Sequence, residues 1–565
     1  MKLHKKQIAL YILLFFISTV ACAQDIAQIG KGSPLKISGS ISNSSIFYTA
    51  SGIDSRRDPF STFWNGSLNF DIYGWSVPLS FSYSNQQGEF RQPFNQYGLS
   101  PKYKSITAHL GYRSMNFSSY SLSGHIFLGA GVELNPTDSK WNFAAMYGRL
   151  RKAVAEDTVN GNIEEPSYLR MGYAFKAEYS NNGDKIGVNL FRAKDELHSI
   201  PYAPEGITPQ ENLVLGFTVN KKLLKRLSIS GEFASSAMTT DTRDPEASAE
   251  NVLGNTGLYR SRSSSSYNNA FKMNLNWGAS FANIQFGYER IAPDYNTLGS
   301  YFFNNDLENS TLGISKRLFK DKLTLSVNGG LQRNNLNNDE MSSTKRLIGS
   351  ATASLAASQK VSINATYSNF TVFTRVQTEN IIDTLQTIDS LDYVQVTQNA
   401  SAGINYNFGS KTNKSSLGFN GSYQVATDDN PTEGGQGSKF YNGNVSYRYT
   451  VVPKDFGLTF GTNANLNDMS TGKSVLIGPS LGVNKSFLEK KLRVSLMSSY
   501  NRVSNDGQLA SVVLSHRLSN SYVVAKKHNF SLGVAVTERK SQASSSEKLR
   551  ELTMTFGYSY AFKVL

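Results

Sequence analysis

The chain of 565 residues has one cysteine, few prolines and, past its first two dozen residues, no long apolar run. A membrane-crossing helix needs about 20 predominantly apolar residues, so a polytopic helical membrane protein is excluded. No HExxH, phosphate-loop, CxxC or calcium-loop spacing occurs. No linker or shift of composition divides the length into domains. Charged residues are only 18% of the chain, whereas 29 Tyr, 33 Phe and 45 Gly are present. So many rings argue against disorder. A half-apolar chain of this size, rich in Tyr, Phe, Gly, Ser and Asn, fits a sheet with one apolar face.

The N-terminus reads as a secretory signal over 1–23. Lys2, Lys5 and Lys6 precede an apolar stretch from Ile8 to Val20, too short to span a bilayer, and Ala21-Cys22-Ala23 precedes Gln24. Cleavage before Gln24 discards Cys22, and with it disulfides, thiolate metal sites and cysteine nucleophiles. It also takes the formal charge from +14 to +11. A second reading, in which Cys22 carries lipid, is disfavoured by Thr19 three places before it. Residues 24–34 are expected to be a short periplasmic segment.

From 35 to 565 the dominant signal is strict alternation. Leu552, Met554, Phe556, Tyr558, Tyr560 and Phe562 alternate with small or polar residues, as do Phe530, Leu532, Val534 and Val536, and Val361, Ile363, Ala365 and Tyr367. A pleated strand sends successive side chains to opposite faces. The pattern recurs from end to end without an amphipathic helix. Short basic turns alternate with long polar loops such as 237–268, 292–307, 376–396 and 427–439. One hairpin, Leu312 to Leu323, recurs as Leu481 to Leu492 and more loosely at Leu215 to Leu227. Short turns on one side and long loops on the other are the habit of outer-membrane barrels, with the short turns in the periplasm. The expected fold is therefore all-β: one large transmembrane antiparallel barrel. Twenty-five segments are recognisable, and a chain with both ends in the periplasm needs an even number, so about 26 strands are expected. The irregular stretch lies in 88–166. A β-propeller would require a blade repeat of about 40–50 residues, which is absent.

The candidate functional residues are the departures from this pattern. Segment 88–122 carries Phe90, Arg91, Phe94, Tyr97, Phe117 and Tyr120. So many rings gain little in an exposed loop, so part of 88–122 is expected to form a lumenal constriction, a missed strand there being a compatible alternative. Arg113, Arg149, Arg170 and Arg192 lie in alternating segments. A charge facing lipid at mid-bilayer costs about 2–4 kcal/mol, so these should face the lumen or lie near an interface. Lumenal arginines would favour anions; pairing with Glu133 or Glu178 is the competing role. Ser123 and His125 share a strand face but lack an orienting third group, so both read as wall positions and no enzyme is expected. Asp241, Asp244 and Glu246 read as solvated loop charge rather than a metal site. Tyr301-Phe302-Phe303, Trp141 and Phe143 read as interfacial aromatics. The basic residues are dispersed rather than striped, which excludes a nucleic-acid-binding surface.

Phe94 to Lys104, Gly111-Tyr112-Arg113, Ser123 to Pro136 and Ala144 to Arg149 resemble stretches of large outer-membrane β-barrel proteins of Bacteroidota. The resemblance covers the N-terminal third and implies compartment and fold, with no activity or cofactor. It also implies contact with outer-membrane lipid and lipopolysaccharide and with the barrel-assembly machinery. Ending on Lys563-Val564-Leu565 after Phe562 departs from the aromatic terminus of many such barrels. The function expected is a porin-like diffusion channel for small polar solutes. The alternative is a barrel that exports or attaches a secreted surface protein.

Overall fold

The computed structural model describes residues 35–564 except 86–94, 157–165, 203–205, 249–251, 339–344, 374–393, 429–436, 471 and 543–547. Residues 1–34, which carry the expected signal and the 24–34 segment, and Phe90, Arg91 and Phe94 thus lie outside the described residues. The described residues form twenty-seven strand segments, which pair antiparallel in chain order except at Gln96–Leu99 and Lys102–Tyr103. The first, Leu35–Ser51, pairs with the last, Lys548–Val564, from Ile37 opposite Val564 to Ser51 opposite Arg550. The sheet therefore closes on itself and has no edge. Gln96–Leu99 and Lys102–Tyr103 are one stave, since both bridge Trp75–Ser84 to Ile106–Ser114. Counting them together gives a barrel of 26 strands.

That broken stave accounts for the strand missing from the sequence count. Pro101 has no N–H to give the ladder, and its neighbour Ser100 donates to Pro78 O instead. Gly111, opposite Gly98 on the next stave, has φ +85°, and a Cβ there would lie 2.5 Å from Tyr97 O. Only glycine meets both demands.

The pleat separates two chemistries. Phe271, Met273, Leu275 and Trp277 project from one face of Ser265–Gly278, and Lys272, Asn274 and Asn276 from the other. Following the register, the apolar row continues through Phe286, Leu312 and Val327, and elsewhere through Phe419, Phe460, Leu481 and Phe556, all exposed. A continuous exposed apolar band on a closed barrel is a lipid-facing surface, and the polar row then lines the lumen.

The two matching basic hairpins fold alike. Phe319, Lys320 and Asp321 have φ of 55°, 55° and 64°, and Leu488, Glu489 and Lys490 have 51°, 54° and 69°. Three successive left-handed residues explain why the two turns share one sequence pattern. The looser copy, where Leu224 pairs with Leu227 past a register shift at Lys222, is a different and shorter turn.

Candidate functional site

The largest apolar cluster lies on the lumenal face and is built by two loops. Met115, Phe117, Tyr120 and Leu122, from the connection between Ile106–Ser114 and Ile126–Leu134, meet Tyr295, Leu298 and Phe303, from the connection between Asn283–Ile291 and Leu307–Leu318. They pack against Phe127, Met146, Ala174, Phe191, Ala234 and Ala270. By strand parity these wall residues belong to the row opposite the exposed Ile186, Val188, Phe217 and Phe271, so the loops are folded inward.

Hydrogen bonds bind the loops to each other and to the wall. Tyr295 OH donates to Tyr120 O at 2.7 Å, Thr297 Oγ1 donates to Ser121 O at 2.7 Å, and Ser123 N donates to Gly299 O. Tyr120 OH donates to Glu289 Oε1 at 2.7 Å, Ser121 Oγ to Asn189 Oδ1 at 3.0 Å, and Ser118 and Ser119 both donate to Glu232. Burial, with the nearby carboxylates, holds the Tyr120 and Tyr295 hydroxyls far above the ordinary tyrosine range, so both remain donors.

On the short-turn side of the inward loops, a chamber of about 480 Å³ is lined by Lys176, Glu178, Lys185, Glu232, Lys272 and Ser118, among others. Register places Glu178, Glu232 and Lys272 in one belt that runs on to Glu289: Glu178, Gly187, Thr218, Glu232, Lys272, Glu289 and Asn309 succeed one another across the staves. Lys185 pairs with Glu178 at 2.9 Å and Lys272 with Glu289 at 3.6 Å.

The sequence-derived residues divide between the two faces. Arg113 is lumenal, opposite Phe127, and donates to Ser80 Oγ at 2.6 Å. Arg170 is lumenal and buried; it holds Asp195 through two bonds of 2.7 and 2.9 Å, with Arg151 on the same carboxylate at 3.1 Å. Arg149 and Arg192 sit on the lipid-facing row at the long-loop end, not in the lumen. Arg149 donates to Tyr112 OH, and Arg192 pairs with Glu211 at 2.6 Å. Near an interface such a charge costs only about 0–1 kcal/mol. Pairing with wall carboxylates is thus the role of Arg170 and Arg192, the partners being Asp195 and Glu211. Tyr97 also points outward, 65% exposed, edge-on to Tyr112.

Ser123 and His125 are not on a strand; they precede Ile126 in the inward loop. Phe303 is not interfacial but packs against Tyr295, and Tyr301 stacks on His125 at 4.1 Å. The contribution of 292–306 was missed, because Tyr295, Leu298 and Phe303 resemble the scattered rings of any loop. Asp241 pairs with Arg243 and Glu246 with Arg260, and no metal-binding group occurs among the described residues.

His125 makes the inward loops acid-sensitive. Burial pushes its imidazole down to about 4; the charges of Arg170 and Arg151 act the same way, against the Nδ1–H bond to Ile126 O. The docked loop thus favours neutral His125, whereas a released loop titrates near 6.5. Docking stability is full above pH 6.5 and falls as pH drops toward 4, by up to about 3 kcal/mol. Protease cleavage within 115–125 should increase across that window, and His125→Phe should abolish the increase. A flat wild-type profile would show that His125 stays solvated.

No family model matches the chain, and no curated protein sequence matches it. Solved structures do, in overall form. The P pilus usher (PapC) translocation pore is 11% identical, with 93% of this chain and 100% of that chain covered and a TM-score of 0.37. Acinetobacter baumannii OccAB2 is 9% identical, over 67% of this chain and 97% of that one, with a TM-score of 0.29. The FrpB iron transporter from Neisseria meningitidis is 10% identical, over 93% and 81%, with a TM-score of 0.39.

Proposed function

We propose that the protein is a bacterial outer-membrane channel for small polar solutes, narrowed on one side by its two inward loops. The observation that carries this reading is the difference between the two halves of the lumenal wall. Among the described residues, the inward loops bond and pack against the staves between Ile106 and Leu318. Farther round, the lumenal row is mostly Asn, Ser, Thr and Gly, with Arg448, Arg493 and Arg517 among them. Asn364, Thr366, Ser401, Asn420, Asn442 and Asn463 line a concavity of about 350 Å³ there. Barrel diameter grows with strand number, and 16–18 strands already leave an aqueous channel. A barrel of 26 has room for the inward loops and a water path beside them.

The purified protein should therefore conduct in planar bilayers. Charge reversal at lumenal Arg113 should shift ion selectivity, whereas reversal at Arg149 should not. A protein that never conducts and is recovered with a secreted surface protein in its lumen would overturn the channel in favour of export.

The same reading places the short turns in the periplasm. A tag in the turn at Phe319–Asp321 should be protected in intact cells, and one in the 240–264 loop should be reached from outside. The opposite labelling would invert the barrel.

A further inference from the structure

The lipid-facing row carries a repeated arrangement at its long-loop end. In two places two cations share one carboxylate, and in a third one cation bonds a carboxylate that a second faces across the ladder. Arg192 and Lys194 both contact Glu211, at 2.6 and 3.3 Å. Lys548 and Arg550 both contact Glu538, at 3.0 and 3.5 Å. Arg333 bonds Glu308, and Arg290 lies directly opposite Glu308 in the register; Tyr288 OH donates to the same carboxylate at 2.6 Å.

All three groups face outward. Arg192 and Lys194 continue the row of the exposed Ile186 and Val188. Arg333 continues that of Val327 and Leu331, and Arg550 that of Met554 and Phe556. All three lie beside long connections, within a few residues of their strand ends.

Each group is left with a net charge of +1 at an interface. In the first two the shared carboxylate holds two cationic heads side by side, in the third the register brings Arg290 opposite it, and in each it occupies only part of the donor set. Side-chain exposure is lowest at Arg192, 28%, and reaches 50% for Arg333, 61% for Arg550 and 66% for Lys548. At the opposite, short-turn end the outward row carries Lys221, Lys316 and Lys485, whose flexible stems can lift their charge out of the bilayer. Arginine is the residue suited to planar, bidentate recognition of phosphate, and it appears in all three groups at the long-loop end alone of these two sets.

We propose that these three cation pairs bind the phosphate groups of the phosphorylated glycolipid in the outer leaflet, tethering the lipid around the barrel. The inference rests on the orientation given above, with the long loops outside the cell, and not on conduction.

The test uses the full-length protein in detergent micelles with diphosphoryl lipid A, and the same lipid stripped of its phosphates, as probes. Retained lipid is counted by native mass spectrometry. The wild type should retain diphosphoryl lipid A at least tenfold better than the stripped lipid. R192Q/K194Q, R290Q/R333Q and K548Q/R550Q should each lower retention by about two- to threefold, and together by about tenfold. Heat-modifiable mobility identifies folded protein; if the combined variant does not fold, the three double variants decide. Wild-type retention in every folded double variant, or equal binding of the stripped lipid or of phosphatidylglycerol, would overturn the proposal. Bilayer conductance should be unchanged in the double variants, so failure of lipid binding is distinguishable from failure of the channel.

Discussion

Tyr295→Ala should release the inward loops and raise single-channel conductance while the barrel stays closed. Tyr295 has no exposed surface. Its ring lies 5.0 Å from Phe303 and 6.2 Å from Tyr120, and its hydroxyl donates to Tyr120 O. Truncating a buried aromatic to alanine costs about 3–5 kcal/mol. The loss falls where the two loops meet, and holding their backbones costs about 1–2 kcal/mol per ordered residue. The inward packing therefore has little surplus to absorb it. The barrel's ladder does not pass through Tyr295, so heat-modifiable mobility should persist. Tyr295→Phe keeps the ring and loses one hydrogen bond, about 0.5–1.5 kcal/mol, so its conductance should stay near wild type. Equal conductance in wild type and Tyr295→Ala would show that the loops do not obstruct the water path.

Much of this architecture is written locally in the sequence. Leu552 to Phe562 alternates because each residue meets either lipid or lumen, and the structure puts all of it on one strand, Lys548–Val564. The hairpins at Phe319–Asp321 and Leu488–Lys490 share a pattern because they share three left-handed residues. The stave at Gln96–Tyr103 is hidden because the Ser100-Pro101 break leaves four residues and then two, too few for a period to register. Its neighbour explains the rings of 88–122 differently. Tyr97 belongs to the outer face, whereas Phe117 and Tyr120 turn inward.

The candidate site was half legible. Phe117 and Tyr120 stand out as rings in a connection, but their partners Tyr295 and Phe303 lie some 175 residues away. A contact between two loops imposes no period on either. The arginines show a related limit. Adjacent apolar residues reveal that a strand carries a charge, but the face depends on counting through irregularities. The left-handed Gly111 precedes Arg113, and a register shift separates Arg149 from Arg151. Distance from the membrane interface, which alternation does not encode, decides whether Arg149 and Arg192 can face outward.

Asp195→Asn should destabilise the long-loop end of the barrel by about 3–5 kcal/mol, the cost of leaving the buried Arg170 without this counter-charge. The Asp195 side chain is wholly buried. It accepts from Arg170 Nε and Nη2, from Arg151 Nη2 and from the backbone N–H of Gln210. Asparagine keeps the shape but replaces one acceptor oxygen with an N–H₂ that faces a guanidinium, and it removes the charge that Arg170 and Arg151 share. Folded fraction in a urea series, followed by heat-modifiable mobility, measures the loss. Replacing Arg170 with Met as well should recover part of it, since the buried cation that Asp195 holds by two bonds is then gone; the coupling between the two sites should exceed 1 kcal/mol. His125 provides an independent reading, because Arg170 and Arg151 already press its imidazole toward neutrality. With Asp195 neutralised their charge is less offset, so docked His125 resists protonation further, and the acid-induced exposure of the 115–125 loop should start at the same pH but grow larger and continue to lower pH. A stability loss below 1 kcal/mol with an unmoved pH profile would mean that water, not Asp195, balances these arginines.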